Sequence, residues 1–191
     1  MSSLRDSRGQ SIANYVNAFP LAQLLTTYGI EYEMDWEELA VPALSSVYAV
    51  WEVPAAKYAA LFTRLVQVDE GRANYRAFTS FIDGTEGDEI PVINLRLDST
   101  INTDSRFVKM TGPTAIDPAS KIVDIPLIGV SGGFFTPAQG DLSSETSYRL
   151  YPPGTRILIE LENQETSTIY FKVLLKWWEL SPRAVPQPRD F

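Results

Sequence analysis

The chain has 191 residues, of which 45% are hydrophobic and 21% charged, a size and composition typical of one globular domain with or without extended arms. It contains neither histidine nor cysteine, which excludes disulfide bonds, catalytic triads built on either residue and the usual zinc sites. A formal net charge of -8 argues against nucleic acid or an anionic membrane as a direct partner. We therefore expect a folded protein that is not an enzyme and that holds no metal or cofactor.

Residues 1–45 are expected to form an N-terminal arm. Its first residues lack the apolar stretch of a secretory signal. Apolar side chains then follow partly helical spacing up to Gly29, with an interruption at Pro20, so we predict a short helix over about 20–28. The next run alternates carboxylates with Tyr32, Met34 and Trp36. This alternation fits either a strand with one apolar face or a peripheral segment docked by its aromatic side chains.

Strand-like segments dominate the domain that we expect at 46–180. They are rich in β-branched and aromatic residues and are bounded by turn signals such as Asp83-Gly84 and Gly112-Pro113. Residues 58–68 fit both a helix and a strand, and their periodicity alone slightly favours a helix. The other segments are 46–53, 73–82, 90–97, 106–110 and 122–130. Short strands at this spacing predict an all-β protein, an antiparallel β-sandwich or barrel.

The clearest pattern lies in the last third of the chain. Segments 155–161 and 168–180 both alternate in polarity, and we predict that they pair as one long antiparallel hairpin. The expected apolar faces consist of Ile157, Ile159, Leu161, Phe171, Val173, Leu175 and Trp177. The opposite face of the second segment mixes charge with apolar bulk, which is typical of a face half covered by another element or subunit. Prolines in 181–191 predict an extended C-terminal tail.

Three features are candidate sites. The acidic loop 83–89 combines four carboxylates with two glycines, which suits calcium, although its spacing differs from an EF-hand and a solvated hairpin tip also explains it. On a strand, Trp177 and Trp178 would point to opposite faces, one in the core and the other under an arm or exposed to a partner or a sugar. Loop 131–135 lacks a phosphate-binding pattern, and we expect Phe134 and Phe135 to fill a neighbouring surface.

Two segments resemble a known class of proteins. The stretch Trp51-Glu-Val-Pro-Ala-Ala-Lys57, continuing to Val68, looks like a segment of β-sandwich structural proteins from bacteriophage heads, necks and tails, with Ala56 where those often have glycine. The stretch Leu150-Tyr-Pro-Pro-Gly154, continuing to Leu161, is similar to a late jelly-roll strand that follows a Pro-Gly turn in the same proteins. The resemblance implies a strand at 58–68, a jelly-roll-like sandwich and a virion function, and it carries over no active site.

These observations predict a structural protein of a phage virion, a capsid-decorating, neck or tail component assembled in the host cytoplasm. It would bind other virion proteins and further copies of itself through the arm 1–45, the tail 181–191 and exposed aromatic side chains. The expected subunit-contact residues are Phe19, Leu24, Leu25, Trp36, Phe134, Phe135 and Trp178. The alternatives are a carbohydrate-binding or receptor-binding module and a histidine-free glycosidase acting through paired carboxylates, for which the spacing nominates no pair.

Overall fold

The computed structural model describes residues 30–96, 100–129 and 149–182. Across these ranges the chain is all-β, with eleven strands and one short 3-10 helix, Pro118–Ser120. No helix in these ranges is long and apolar enough to cross a bilayer. The strands form two antiparallel sheets, so the predicted all-β sandwich is confirmed. The predicted helix at 20–28, the loop with Phe134 and Phe135, and the tail from residue 183 lie outside the described residues.

The strands vary in length from three to twelve residues. In chain order they are β1 (Glu31–Val41), β2 (Ser46–Glu52), β3 (Tyr58–Val68), β4 (Gly71–Phe78), β5 (Thr85–Glu89), β6 (Val92–Asn94), β7 (Arg106–Thr111), β8 (Lys121–Gly129), β9 (Arg149–Tyr151), β10 (Arg156–Asn163) and β11 (Ile169–Leu180). The first sheet has the order β6-β1-β11-β3-β9. The second has the order β5-β7-β2-β10-β4-β8.

The core lies between the two sheets and is built from alternate residues of each strand. In β11, Ile169, Phe171, Val173, Leu175 and Trp177 are all buried in it, and the intervening residues up to Lys176 are half-buried. This confirms the predicted apolar face, because a strand points successive side chains to opposite sides. Trp51, Phe107 and Trp177 form the centre of one end, with ring centroids 5.3–5.4 Å apart.

The predicted hairpin between β10 and β11 is wrong, although both strands exist. β10 pairs with β2 and β4 in the second sheet, whereas β11 pairs with β1 and β3 in the first. The chain therefore crosses between the sheets at 164–168. The buried Asn163 fixes this corner, because its Nδ2 donates to the carbonyls of Val41, Pro42 and Ser167 at 3.0, 2.9 and 2.8 Å.

The sandwich also begins earlier than predicted. Residues 31–41 form β1, which pairs along most of its length with β11 and places Met34 opposite Leu175. Tyr32, Met34 and Trp36 are buried in the core, so the first of the two sequence interpretations of this segment is confirmed. The arm boundary at residue 45 is therefore too late, because the alternation gives this segment an apolar face that completes the core. Residues 58–68 are strand β3, as the resemblance implied.

Candidate functional site

Of the seven predicted contact residues, only Trp36 and Trp178 fall within the described ranges. Trp36 is 2% exposed in the core, and its Nε1 donates to Glu38 Oε1 at 2.8 Å. Trp178 lies on the outer face of the first sheet, yet it is 4% exposed and stacks on Phe62 with ring centroids 4.3 Å apart. Both rings are therefore buried within their own chain. Neither offers an open surface to a partner, because each ring is almost completely covered.

The outer face of the first sheet is a ladder of ion pairs. Lys172 Nζ lies 2.9 Å from Asp35 and 2.7 Å from Glu37, and Lys176 Nζ lies 2.8 Å from Glu33. The hydrogen bond from Lys172 to Glu37, followed by the one to Asp35, raises the pKa of Lys172. These pairs cross from β11 to β1, so the carboxylates of the acidic run and the lysines of the last strand neutralise one another. The charged residues on the mixed face predicted for this segment are thus paired within the chain.

A pocket of about 430 Å³ opens beside β6 and β7. Apolar residues such as Val92 form part of its lining, and we call these polar residues of the lining the polar wall: Asn94, Asn102, Thr103, Ser105 and Arg106. The Oγ of Ser105 is buried and has no hydrogen-bond partner, although it belongs to this wall. A concave site with a few convergent polar groups is the usual form of a small-ligand site. The sequence did not predict this pocket, because its lining residues form no recognisable motif and no regular alternation.

Glu179, at the end of β11, holds the polar wall in place. Its carboxylate accepts hydrogen bonds from Lys57 Nζ at 2.9 Å, from the backbone N of Ser105 at 3.1 Å and from the hydroxyl of Thr103. Burial raises the pKa of the nearby Tyr32, and the charge of Glu179 adds to that increase. A buried carboxylate with several donors is well satisfied, and it orders the backbone that supplies them. We infer that Glu179 positions the 103–105 segment against the pocket.

The acidic loop 83–89 pairs with arginines. Arg106 Nε lies 2.7 Å from Glu89 and Arg106 Nη2 lies 3.0 Å from Glu86, whereas Arg156 Nη1 lies 2.8 Å from Asp83. The hydrogen bonds of Glu86 and then Glu89 raise the pKa of Arg106 above its ordinary value. Among the described residues no group of three or more acidic side chains is placed to hold a metal ion. Most of the loop forms edge strand β5. Its carboxylates Asp83, Glu86 and Glu89 serve as ion-pair partners of two arginines.

The pocket offers amides, hydroxyls and backbone groups to a ligand. Its charged members, Glu89 and Arg106, are already paired with each other. Such a lining suits recognition of a polar, uncharged molecule better than proton transfer, which needs a group poised to exchange its proton.

Comparison with protein-family models, with curated proteins and with solved structures found no match for this chain. The strand order and the side-chain geometry are therefore the observations from which function is proposed.

Proposed function

We propose that this chain is a non-enzymatic structural protein of a bacteriophage virion, a capsid-decorating, neck or tail component that binds neighbouring subunits. The observation that carries the proposal is the strand order. Four adjacent strands of the first sheet, β1-β11-β3-β9, pack on four of the second, β2-β10-β4-β8. We infer that this order is a jelly roll, in which β5, β6 and β7 are inserted between β4 and β8. Jelly rolls recur in viral capsid domains and in lectins.

Both segments that resemble phage virion proteins contribute strands to this order. Residues 58–68 form β3 in the first sheet. β10 begins at Arg156, shortly after a turn in which Gly154 has a φ of 72°. A positive φ favours glycine, so the Pro-Gly sequence has a local structural reason. Both placements support the resemblance on which the virion assignment rests.

Exposed isoleucines on the insertion side supply candidate contacts for neighbouring subunits. Ile93 on edge strand β6 is 54% exposed, and Ile101 is 46% exposed. Asn94 Nδ2 donates to the carbonyl of Ile101 at 2.7 Å, so the two segments lie side by side. Apolar side chains grouped at a sheet edge gain stability when a partner covers them. These positions replace Trp36 and Trp178 as the described contact candidates.

The proposal includes homo-oligomerisation through the arms and sheet edges, and association with other virion proteins in the host cytoplasm. Structural virion proteins act as repeated copies, and repeated contacts of one chain give closed symmetric assemblies. Light scattering on the full-length chain and on a chain lacking residues 1–29 tests this. A discrete oligomer that the deletion converts to a folded monomer supports the proposal, and a monomer in both cases opposes it.

A second candidate function is a carbohydrate-binding or receptor-binding module, and the pocket beside β6 and β7 is the observation that favours it. Sugars present hydroxyl groups that match an uncharged lining of Asn102, Thr103 and Ser105. Binding on a glycan array that Asn102→Ala abolishes and Gln67→Ala leaves intact would favour this function. The control residue lies on β3, away from the residues that line the pocket.

A further inference from the structure

A cationic side chain is largely buried between the sheets. Arg64 on β3 lies opposite the core residue Leu175 in the register, and it is 8% exposed. Its Nε is buried with no hydrogen-bond partner, and the described residues provide its guanidinium with no carboxylate. Among the residues that the structure describes, the ring of Tyr75 is the group that compensates this charge, with its centroid 5.7 Å from Arg64 Cζ. Burying an unpaired charge is costly, and a cation–π contact offsets only part of that cost.

Three more hydrogen-bonding side chains lie near this position, because the charges of Arg64 and Arg149 both act on Tyr75 and on Tyr151. Arg149 on β9 places its Cζ 5.7 Å from the ring of Tyr151, and its Nη1 donates to the carbonyl of Ile122 on β8 at 2.8 Å. Tyr75 extends from β4 in the opposite sheet and is 2% exposed. The cluster therefore joins both sheets on the side where they end in β8 and β9. We call Arg64, Tyr75, Arg149 and Tyr151 the edge cluster.

The two phenols of the edge cluster remain protonated donors at any ordinary pH. Burial raises the pKa of Tyr75 to about 12, even though the charge of Arg64 acts in the opposite direction. Burial also raises the pKa of Tyr151 against the charges of Arg149 and Arg64. A guanidinium has donors and no acceptor. The edge cluster thus combines two positive charges with two phenol donors, and no carboxylate of the described residues is hydrogen-bonded or ion-paired to any of the four side chains.

We propose that the edge cluster is an oxyanion-binding site, which takes a carboxylate or phosphate group between β8 and β9. Either group supplies negatively charged acceptor oxygens, which the two guanidiniums and the two phenols lack, and a guanidinium can bind both in bidentate fashion. The chain as a whole carries a charge of -8, so long-range attraction does not bring anions here. Short-range hydrogen bonds from Arg64 and Arg149 supply the affinity. This site is separate from the pocket beside β6 and β7 and does not depend on the virion function.

The test is calorimetric titration of the full-length chain with inorganic phosphate and with acetate, each at a constant ionic strength set by chloride. Titration is preferable to melting, because phosphate stabilises most proteins by exclusion from their surface. Arg64→Met and Arg149→Met each remove one guanidinium, and we expect each to weaken binding by roughly tenfold to a hundredfold. Arg72→Ala is the matched control, since Arg72 is exposed and lies outside the cluster.

Replacing a buried charge by an apolar side chain of similar length is often tolerated, so the Met variants are expected to fold. Tyr75→Phe is a second, milder variant that removes only a hydroxyl and should weaken binding less. Tighter binding of acetate would indicate an acidic side chain or chain end as the natural ligand, and tighter binding of phosphate would indicate a phosphate or phosphoester. Absence of heat with both anions, or equal affinity in the wild type and in Arg64→Met, would overturn the proposal.

Discussion

Lys57 and Glu179 are 122 residues apart in the sequence, yet Lys57 Nζ lies 2.9 Å from Glu179 Oε2. The side chain of Glu179 is fully buried, and that of Lys57 is 30% exposed. Lys57 also lies 2.7 Å from Asp104, so one lysine joins the start of β3, the end of β11 and the segment before β7. This three-way contact connects the first sheet to the polar wall of the pocket.

Glu179→Gln should destabilise the fold. The amide keeps the shape of the side chain but removes the charge that accepts hydrogen bonds from Lys57 and the Ser105 backbone. We expect a loss of about 1–3 kcal/mol in the free energy of unfolding, measured by urea denaturation. Glu37→Gln is the control, since Glu37 is in an exposed ion pair with Lys172, and it should leave the urea midpoint almost unchanged. Equal midpoints for both variants would contradict the structural role of Glu179.

Trp178→Ala separates a buried role from a partner-contact role. Because Trp178 is 4% exposed and stacked on Phe62, its truncation should cost about 3–5 kcal/mol in the free energy of unfolding. Ile128→Ala serves as the comparison, since Ile128 is 72% exposed and should change stability little. If the Trp178→Ala variant instead kept full stability and lost only self-association, Trp178 would be a subunit-contact residue, as the sequence analysis predicted.

Stability should fall in acid, and Arg76 should account for part of that fall. Arg76 lies 2.8 Å from Glu162 and 3.4 Å from Asp124. Burial opposes ionisation of Glu162, but hydrogen bonds from Asn74 and the charge of Arg76 hold its pKa below the ordinary 4.5. A hydrogen bond from Lys121, aided by Arg76, lowers the pKa of Asp124 from 3.8.

A carboxyl whose pKa is lower in the folded state stabilises the fold above its unfolded pKa, and this contribution is lost as the pH falls through the folded pKa. The melting temperature should therefore be steady near neutral pH and decline below about pH 4.5. In Arg76→Met the decline should be shallower, because the folded pKa values move back toward the unfolded ones. If the melting temperature depended on pH in the same way in the wild type and in Arg76→Met, Arg76 would not contribute to the loss of stability in acid.

Removing residues 1–29 should leave the sandwich intact. β1 begins at Glu31 and pairs with β11 from that residue onward. We expect the truncated chain to keep the far-ultraviolet circular dichroism of a β-sheet and a cooperative thermal transition. Its control is removal of residues 1–41, which deletes β1 and should abolish folding. Loss of the β-sheet signal in the shorter deletion would show that residues before β1 belong to the core.

Period-two alternation correctly identified the core-facing residues of β10 and β11, because burial on one face leaves that trace in the sequence. The pairing of these strands was wrong, since alternation shows which side chains are buried but not which strand lies beside them. Arg64 could not be predicted as a core residue either. A register irregularity near Phe62 changes the alternation of β3, so that Leu61 and Arg64 both point inward. The pocket lies beside β6 and β7, and the local alternation of polar and apolar residues does not show which strands these two pair with.

The central claim is that this chain acts as repeated copies in an assembly, and native mass measured by light scattering on the purified full-length chain tests it most directly. The measurement should be made at low micromolar concentration and repeated after dilution. We predict a discrete homo-oligomer such as a trimer, pentamer or hexamer, because subunits with contact surfaces at their edges close into symmetric rings. A monomer at every concentration would contradict the claim.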